Sequence, residues 1–394
     1  MMDALRGAPI MRTSAGRTLG LVLSGGGARG VFQVGVYEEL LNDPRFADRP
    51  MVLSGTSAGA INAALIATGR SPREMMDFWN RIADNPPAVA SARFFRTAMQ
   101  TLARLGVTES FAWLRPGRRW RALAQRALNH VPPQPGGLLA LAVEFLLTTR
   151  FELVSQLLEG IQEPFLADTA PLRRLLVDTF GGEELPNLAI GLAVSTVDAH
   201  TGRVVRFTTR KTALTLPPDY TIVEAITVDM VLASASIPLL FPPVAVGRQF
   251  LWDGGLLVNT PLAPAVALGA DEIVTVLTTE PPDLLPHPFA TFGRAVERTV
   301  DSFLENAYNV DRKLLLERNR LARLEDSHHY RDVTLYEPVR PARECFNAGS
   351  YLYFERETLA ASYEAGRRAA RSWLAAGPRV DDLDESRAGA GAAA

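Results

Sequence analysis

Met51-Val52-Leu53-Ser54-Gly55-Thr56-Ser57-Ala58-Gly59-Ala60-Ile61-Asn62-Ala63-Ala64-Leu65-Ile66 is the stretch that decides how this chain is built. Its apolar start, Met51–Leu53, reads as a short buried strand, and Ala60–Ile66 reads as a helix. Between them, Gly55-Thr56-Ser57-Ala58-Gly59 has the G-x-S-x-G spacing, in the strand–turn–helix setting that a nucleophile elbow requires. Glycines two residues either side of Ser57 let the backbone turn sharply and let strand and helix approach. Ser57 then stands at the tip of the turn, at a helix N-terminus whose dipole favours developing negative charge.

A lone G-x-S-x-G arises by chance in many chains, so its company matters. Gly25-Gly26-Gly27-Ala28-Arg29-Gly30 follows the apolar run Leu19–Leu23, and Asp253-Gly254-Gly255 follows Phe250-Leu251-Trp252. A Gly-rich turn can aim several backbone N–H groups at one point, which is what an oxyanion needs. A carboxylate on a glycine turn can lie against a serine hydroxyl and accept its proton. The bland readings are a phosphate loop and a turn aspartate, since Asp-Gly is a common turn dipeptide. The first loop is not GxxxxGK[ST], has no lysine nearby, and has no clearly placed ribose-binding acid some twenty positions on.

Taken together and in this order, the three motifs resemble those of the patatin-like phospholipase family. Ala233-Ser234-Ala235-Ser236-Ile237-Pro238 with Phe241-Pro242-Pro243, and the passage Asp253–Pro261, resemble further segments of it. The resemblance covers about residues 18–80 and 186–280. It implies a lipid acyl hydrolase working through a Ser–Asp dyad, with Ser57 as nucleophile and Asp253 as base. Gly25, Gly26, Gly27 and Ala58 are then the oxyanion-hole amides. Arg29, Gly30, Gly55, Gly59, Gly254 and Gly255 shape the loops. Arg29 has two readings, contact with a lipid phosphate or pairing with a carboxylate, and the second is preferred.

A fully ionised aspartate is a poor base near pH 7, so such a site must raise its proton affinity by desolvation or lend the help of the oxyanion hole. A histidine is the usual third party. His130, His200, His287, His328 and His329 lie at turns, between prolines or at a helix end, and no motif surrounds any of them, which favours a dyad. No HExxH, EF-hand or cysteine cluster is present, so neither a metal nor a cofactor is implied.

Composition narrows the class. The 394 residues are 47% hydrophobic, enough for a packed core. A net charge of −2 argues against general nucleic-acid binding. Cys345 is the only cysteine, which forbids an intrachain disulfide and fits a reducing, cytoplasmic setting. The longest apolar run, Leu138–Val143, is too short to span a bilayer, so the expectation is a soluble or peripherally attached protein.

Residues 1–17 read as a loose leader and 18–280 as the catalytic α/β domain, with a helical insertion or cap at 81–180. Residues 19–66 follow the order strand, helix (Val31–Leu41), strand, helix, which implies a parallel sheet with ligands beyond the carboxyl ends of its strands. Strands are expected at Leu188–Val194, Val204–Phe207 and Ile273–Leu277, and a helix at Thr221–Ser234. Phe289, Phe292, Val296, Val300, Phe303, Ala307, Val310 and Leu314 mark a long amphipathic helix in a mainly helical extension over 281–380. Residues 381–394 read as a disordered tail. The expected fold is therefore a three-layer α/β/α with a mostly parallel central sheet.

Within 86–143, Arg93, Arg96, Arg104, Arg115, Arg118, Arg119, Arg121 and Arg126 face one acid, Glu109, with Phe111, Trp113 and Trp120 among them. Such a basic, aromatic segment suits an anionic membrane surface or, equally, a solvated cap over the active site. Two rival functions remain at this stage. An acyltransferase of the malonyl-carrier type would need a histidine partner and lacks the DGG turn. A non-catalytic lipid-binding protein has no reason to keep an intact dyad. Lipid is the expected partner, and the oligomeric state is left open.

Overall fold

The computed structural model describes residues 16–84, 165–186, 188, 190–209, 218–281, 292–324, 331–343, 345–346 and 350–382. The chain divides into two compact units, Met1–Pro87 with Thr169–Ala394, and Ala88–Asp168. The arginines and aromatics of 86–143 lie outside the described residues, so the architecture below is that of the first unit.

Its centre is a sheet of nine strands among the described residues. They are β1 (Leu19–Leu23), β2 (Met51–Thr56), β3 (Gly191–Asp198), β4 (Val204–Thr208), β5 (Tyr220–Ile222), β6 (Val244–Val246), β7 (Gln249–Asp253), β8 (Glu272–Val276) and β9 (Thr334–Leu335). The main path runs β5-β4-β3-β2-β1-β8-β9, with the β6–β7 hairpin attached to β3. Neighbours are parallel from β3 through β2, β1 and β8 to β9, while β4 and β7 run antiparallel to β3. β1, β3 and β8 are buried along their whole length, as strands covered on both faces must be.

The helices are α1 (Val31–Leu41), α2 (Ala58–Ala67), α3 (Pro72–Asp84), α4 (Ala170–Phe180), α5 (Val228–Ser234), α6 (Leu262–Ala267), α7 (Phe292–Leu324) and α8 (Arg356–Ala376). Alternation along β1 assigns them to two faces. Leu19, Leu21 and Leu23 belong to a core with Phe32 of α1, Ile61 of α2, Trp79 of α3, Leu176 of α4, Val231 of α5 and Leu359 of α8. Val22 belongs to a second core, with Leu262 of α6 and Tyr308 and Leu315 of α7. The result is three layers, α/β/α. All ten residues of α2 are buried, which explains a sequence apolar on every side.

One register sets up the site. Thr56 of β2 pairs with Ser195 of β3, and Asp253 of β7 pairs with Thr196. Both Ser195 and Thr196 also pair with β4, through Arg206 and Val205. β4 occupies one edge of β3, so β2 and β7 share the other and meet head to head on it.

Several local expectations shift. Thr221–Ser234 is not one helix: Tyr220–Ile222 is a strand, as its β-branched residues favour, and α5 starts only after Thr227, whose side chain accepts the Met230 N–H at 3.3 Å. The strand expected at Leu188–Val194 begins at Gly191 and runs on to Asp198. The helix Ala170–Phe180 belongs to the first unit, so the second is narrower than the segment 81–180. The C-terminal extension adds a strand, β9, to the sheet edge. Asp381, expected in a loose tail, is buried and ion-paired with Arg312 of α7.

Candidate active site

Ser57 joins β2 to α2 with φ 57° and ψ −129°, a left-handed conformation that a residue with a side chain rarely adopts. Packing on both sides enforces it. A Cβ on Gly55 would lie 2.3 Å from Gly59 O, and one on Gly59 would lie 2.2 Å from Leu23 O. Neither position has room for a side chain, so strand and helix touch backbone to backbone. The Ser57 N–H donates to Ser234 Oγ at 3.0 Å, and Ser234 Oγ donates to Ser195 O at 2.6 Å.

Asp253 ends β7, opposite Thr196. Its N–H donates to Ser236 O at 3.0 Å, which fixes the strand end against the chain after α5. The carboxylate accepts the Gly255 N–H at 2.7 Å, and the Ser57 hydroxyl favours its charged form. Gly254 and Gly255 open the short 3-10 turn Gly254–Leu256 that carries the chain away. Asp253 is only 4% exposed. That burial pushes its carboxyl up to about 7, against the pull of the Ser57 hydroxyl and the Gly255 N–H. Thr56 Oγ1 donates to Val258 O at 2.8 Å and Ser54 Oγ to Pro261 O at 2.9 Å, which lash β2 to the chain after Asp253.

The Gly-rich loop leaves β1 and forms the 3-10 turn Gly27–Gly30, directly before α1. The Gly25 N–H donates to Asn259 O at 3.0 Å. It is therefore occupied, which corrects its inclusion with the oxyanion donors. No hydrogen bond engages the N–H of Gly26, Gly27 or Ala58 among the described residues. Gly30 ends the turn in contact with α2, where a Cβ would lie 2.7 Å from that of Ala58.

Arg29 is buried inside the protein. Its guanidinium is fully buried, pairs with Glu297 and, at 3.1 Å, with Asp301 of α7, and donates through Nε to Ser350 Oγ at 2.8 Å. It lies over the rings of Tyr351 and Phe346, 3.8 and 4.6 Å from their centroids. Arg294 reaches Glu297 at 2.9 Å, so two guanidiniums face two carboxylates. Of the two readings of Arg29 from sequence, contact with a lipid phosphate is removed and pairing with carboxylates stands.

The one described histidine, His200, sits in the β3–β4 turn with its ring against Phe250. The other four lie outside the described residues. Among the described residues no cluster could hold a metal ion and no helix is long and apolar enough to cross a membrane. Sequence reading missed Ser234, Asn259 and Thr278. Ser234 lies inside a segment quoted for its resemblance, and Asn259 directly before Thr260-Pro261 in another, but nothing in the sequence said which of their atoms face the elbow.

The chain is similar to several known proteins. It is 28% identical over 267 residues to uncharacterized NTE family proteins of Mycobacterium bovis and Mycobacterium tuberculosis, covering 68% of this chain and 31% of each relative. The chain thus spans about a third of the length of these curated relatives. Over 59 residues it is 49% identical to lysophospholipase nte1 of Aspergillus terreus, covering 15% of this chain and 4% of that one. Among solved structures, VipD from Legionella pneumophila aligns with a TM-score of 0.38 and 17% identity, over 92% of this chain and 68% of VipD. The ExoU–SpcU complex of Pseudomonas aeruginosa aligns with a TM-score of 0.27 and 16% identity, over 76% of this chain and 52% of the matched one. The family model described as patatin-like phospholipase matches residues 21–266, a span that contains Gly25–Gly30, Ser57 and Asp253. The chain belongs to the patatin-like phospholipase family.

Proposed function

We propose that this protein is a serine lipid acyl hydrolase that cleaves carboxylic esters of phospholipids or related lipids. The observation that carries the reading is the placing of Ser57, at the tight turn after β2, beside the end of β7, where a buried Asp253 has its carboxyl raised to about 7 against the opposing pull of the Ser57 hydroxyl. Ser57 Oγ attacks the ester carbonyl carbon while Asp253 takes the hydroxyl proton. The carbonyl oxygen becomes an oxyanion held by the amides of Gly26, Gly27 and Ala58. Collapse expels the alcohol, which takes the proton from Asp253 and leaves Ser57 acylated. Water, deprotonated by Asp253, attacks the acyl-serine, and collapse releases the fatty acid while the departing Ser57 Oγ takes the proton back from Asp253. An acyltransferase would follow the same path with another hydroxyl in place of water.

A lipid panel assayed with wild type and Ser57→Ala tests this. Wild type releases fatty acid from at least one lipid ester and reacts with a fluorophosphonate, and Ser57→Ala does neither. Labelling that persists in Ser57→Ala sinks the assignment. Transfer of acyl groups to an added alcohol in excess of release to water selects the acyltransferase.

The basic segment 86–143 is the reading's membrane contact. Its attraction to anionic lipid falls off within a Debye length, roughly 8 Å at physiological salt. Replacing Arg93, Arg96 and Arg104 with Gln lowers binding to anionic vesicles and spares hydrolysis of a short soluble ester. Equal loss on both substrates selects the cap instead.

A further inference from the structure

Thr278 lies two residues past the end of β8, beyond the span 21–266 matched by the family, and no sequence motif marks it. It is fully buried against the Gly-rich loop, where a Cβ on Gly26 would lie 2.4 Å from its Oγ1. Its hydroxyl donates to Gly25 O at 2.5 Å, and its N–H donates to Ser24 Oγ at 3.1 Å. A trans peptide is planar, with C=O and N–H pointing opposite ways. Fixing the Gly25 carbonyl from one side therefore fixes the direction of the Gly26 N–H on the other.

The neighbouring planes are fixed too, by other partners. The carbonyl of Gly26 accepts the Arg29 N–H at 3.1 Å, which orients the N–H of Gly27. The Ala28 N–H donates to Tyr351 O at 2.9 Å, which sets the plane after Gly27. The plane before Gly25 is held from both sides, by Asn259 O through the Gly25 N–H and by the Gln33 side-chain amide, which donates to Ser24 O at 2.7 Å. The Gly25–Gly26 plane is the one whose anchor is a side-chain hydroxyl.

We propose that Thr278 is a positioning residue for acyl transfer: its hydroxyl, through the Gly25–Gly26 peptide, aims the Gly26 N–H at the oxyanion. This rests on the acyl-hydrolase reading above. Thr278 acts on an amide whose partner exists only once negative charge has formed, so it changes kcat and leaves KM alone.

The test measures kcat and KM of the full chain on a soluble p-nitrophenyl ester for wild type, Thr278→Val, Thr278→Ala and Thr278→Ser, with the thermal midpoint of each. Deleting one oxyanion donor outright costs about a hundredfold or more in kcat, and misdirecting it costs about tenfold to a hundredfold. Thr278→Val falls in that range with KM within about twofold of wild type, and Thr278→Ser, which keeps the hydroxyl, stays within about threefold in kcat. If the valine variant fails to fold, Thr278→Ala replaces it with the same expectation. Wild-type kcat in a folded Val or Ala variant overturns the proposal. So does a folded Ser variant as slow as Val, or a loss carried by KM. These results leave the acyl-hydrolase reading intact as long as Ser57→Ala is inactive. Activity in Ser57→Ala overturns that reading, and the role of Thr278 with it.

Discussion

Ser234 Oγ accepts the backbone proton of Ser57 at 3.0 Å and gives its own to Ser195 O at 2.6 Å. One hydroxyl thus satisfies the amide at the strained tip of the elbow and a carbonyl of β3 beside it. It also takes the Ser57 N–H out of the reaction, which leaves the amide of Ala58, one residue on, as the open donor. Ser234→Ala strips both groups of their partner in a buried place, at a cost of about 1–3 kcal/mol. The midpoint of urea unfolding falls accordingly, and kcat drops because the elbow is no longer held. A variant as stable as wild type would show that the hydroxyl does not support the turn.

The pH dependence of kcat/KM follows from Asp253. Burial pushes its carboxyl up to about 7, and in the mechanism we propose it is the ionised form that takes the serine proton. We expect kcat/KM to rise about tenfold per pH unit below 7 and to level off above it. A profile flat from pH 5 to 8 would exclude Asp253 as the base.

The same carboxyl sets a stability trend of the opposite sign. Its folded-state value lies above the roughly 3.9 of an unfolded chain, so the folded protein holds the proton more tightly. Stability contributed by the protonated form is full below about pH 4 and is lost as pH rises through about 7. Asp253→Asn carries no such charge. Its thermal midpoint, compared with that of wild type, should gain steadily between about pH 4 and 7 and hold its lead at pH 8.

Arg29 predicts a non-additive series. Arg29→Met leaves Asp301 without its guanidinium and Glu297 with Arg294 alone, both buried, and costs about 3–5 kcal/mol. Adding Glu297→Gln and Asp301→Asn removes the orphaned charge, so the triple variant recovers most of that loss in urea unfolding. A triple variant weaker than Arg29→Met would refute the charge argument.

What the sequence disclosed and what it withheld divide along a physical line. Backbone demands were legible: Gly55 and Gly59 are where no Cβ fits, and the run Leu19–Leu23 is a strand buried on both faces. The pairing of Ser57 with Asp253 came from motif order, across nearly two hundred residues. Long-range polar partners were not legible. That Asn259 O occupies the Gly25 N–H, or that Thr278 caps the Gly25 carbonyl, depends on which atoms face each other after the strands align, and residue type does not encode that. The shortened helix at Val228–Ser234 shows the limit of periodicity, because Thr221 and Ile222 fit a strand as well as a helix and only the Thr227 cap decides.

The head-to-head meeting of β2 and β7 on one edge of β3 makes that strand a ruler. Thr56 and Asp253 stand at consecutive marks, Ser195 and Thr196, one strand step of roughly 3.3 Å apart. The spacing of the residue before Ser57 and of Asp253 is thus written in main-chain hydrogen bonds, a scale that side-chain substitution cannot stretch. To separate the pair, β2 or β7 must come loose from β3. Chemistry and sheet are then lost in the same event, while the outer helices can vary their surfaces, lengths and attachments without moving either mark.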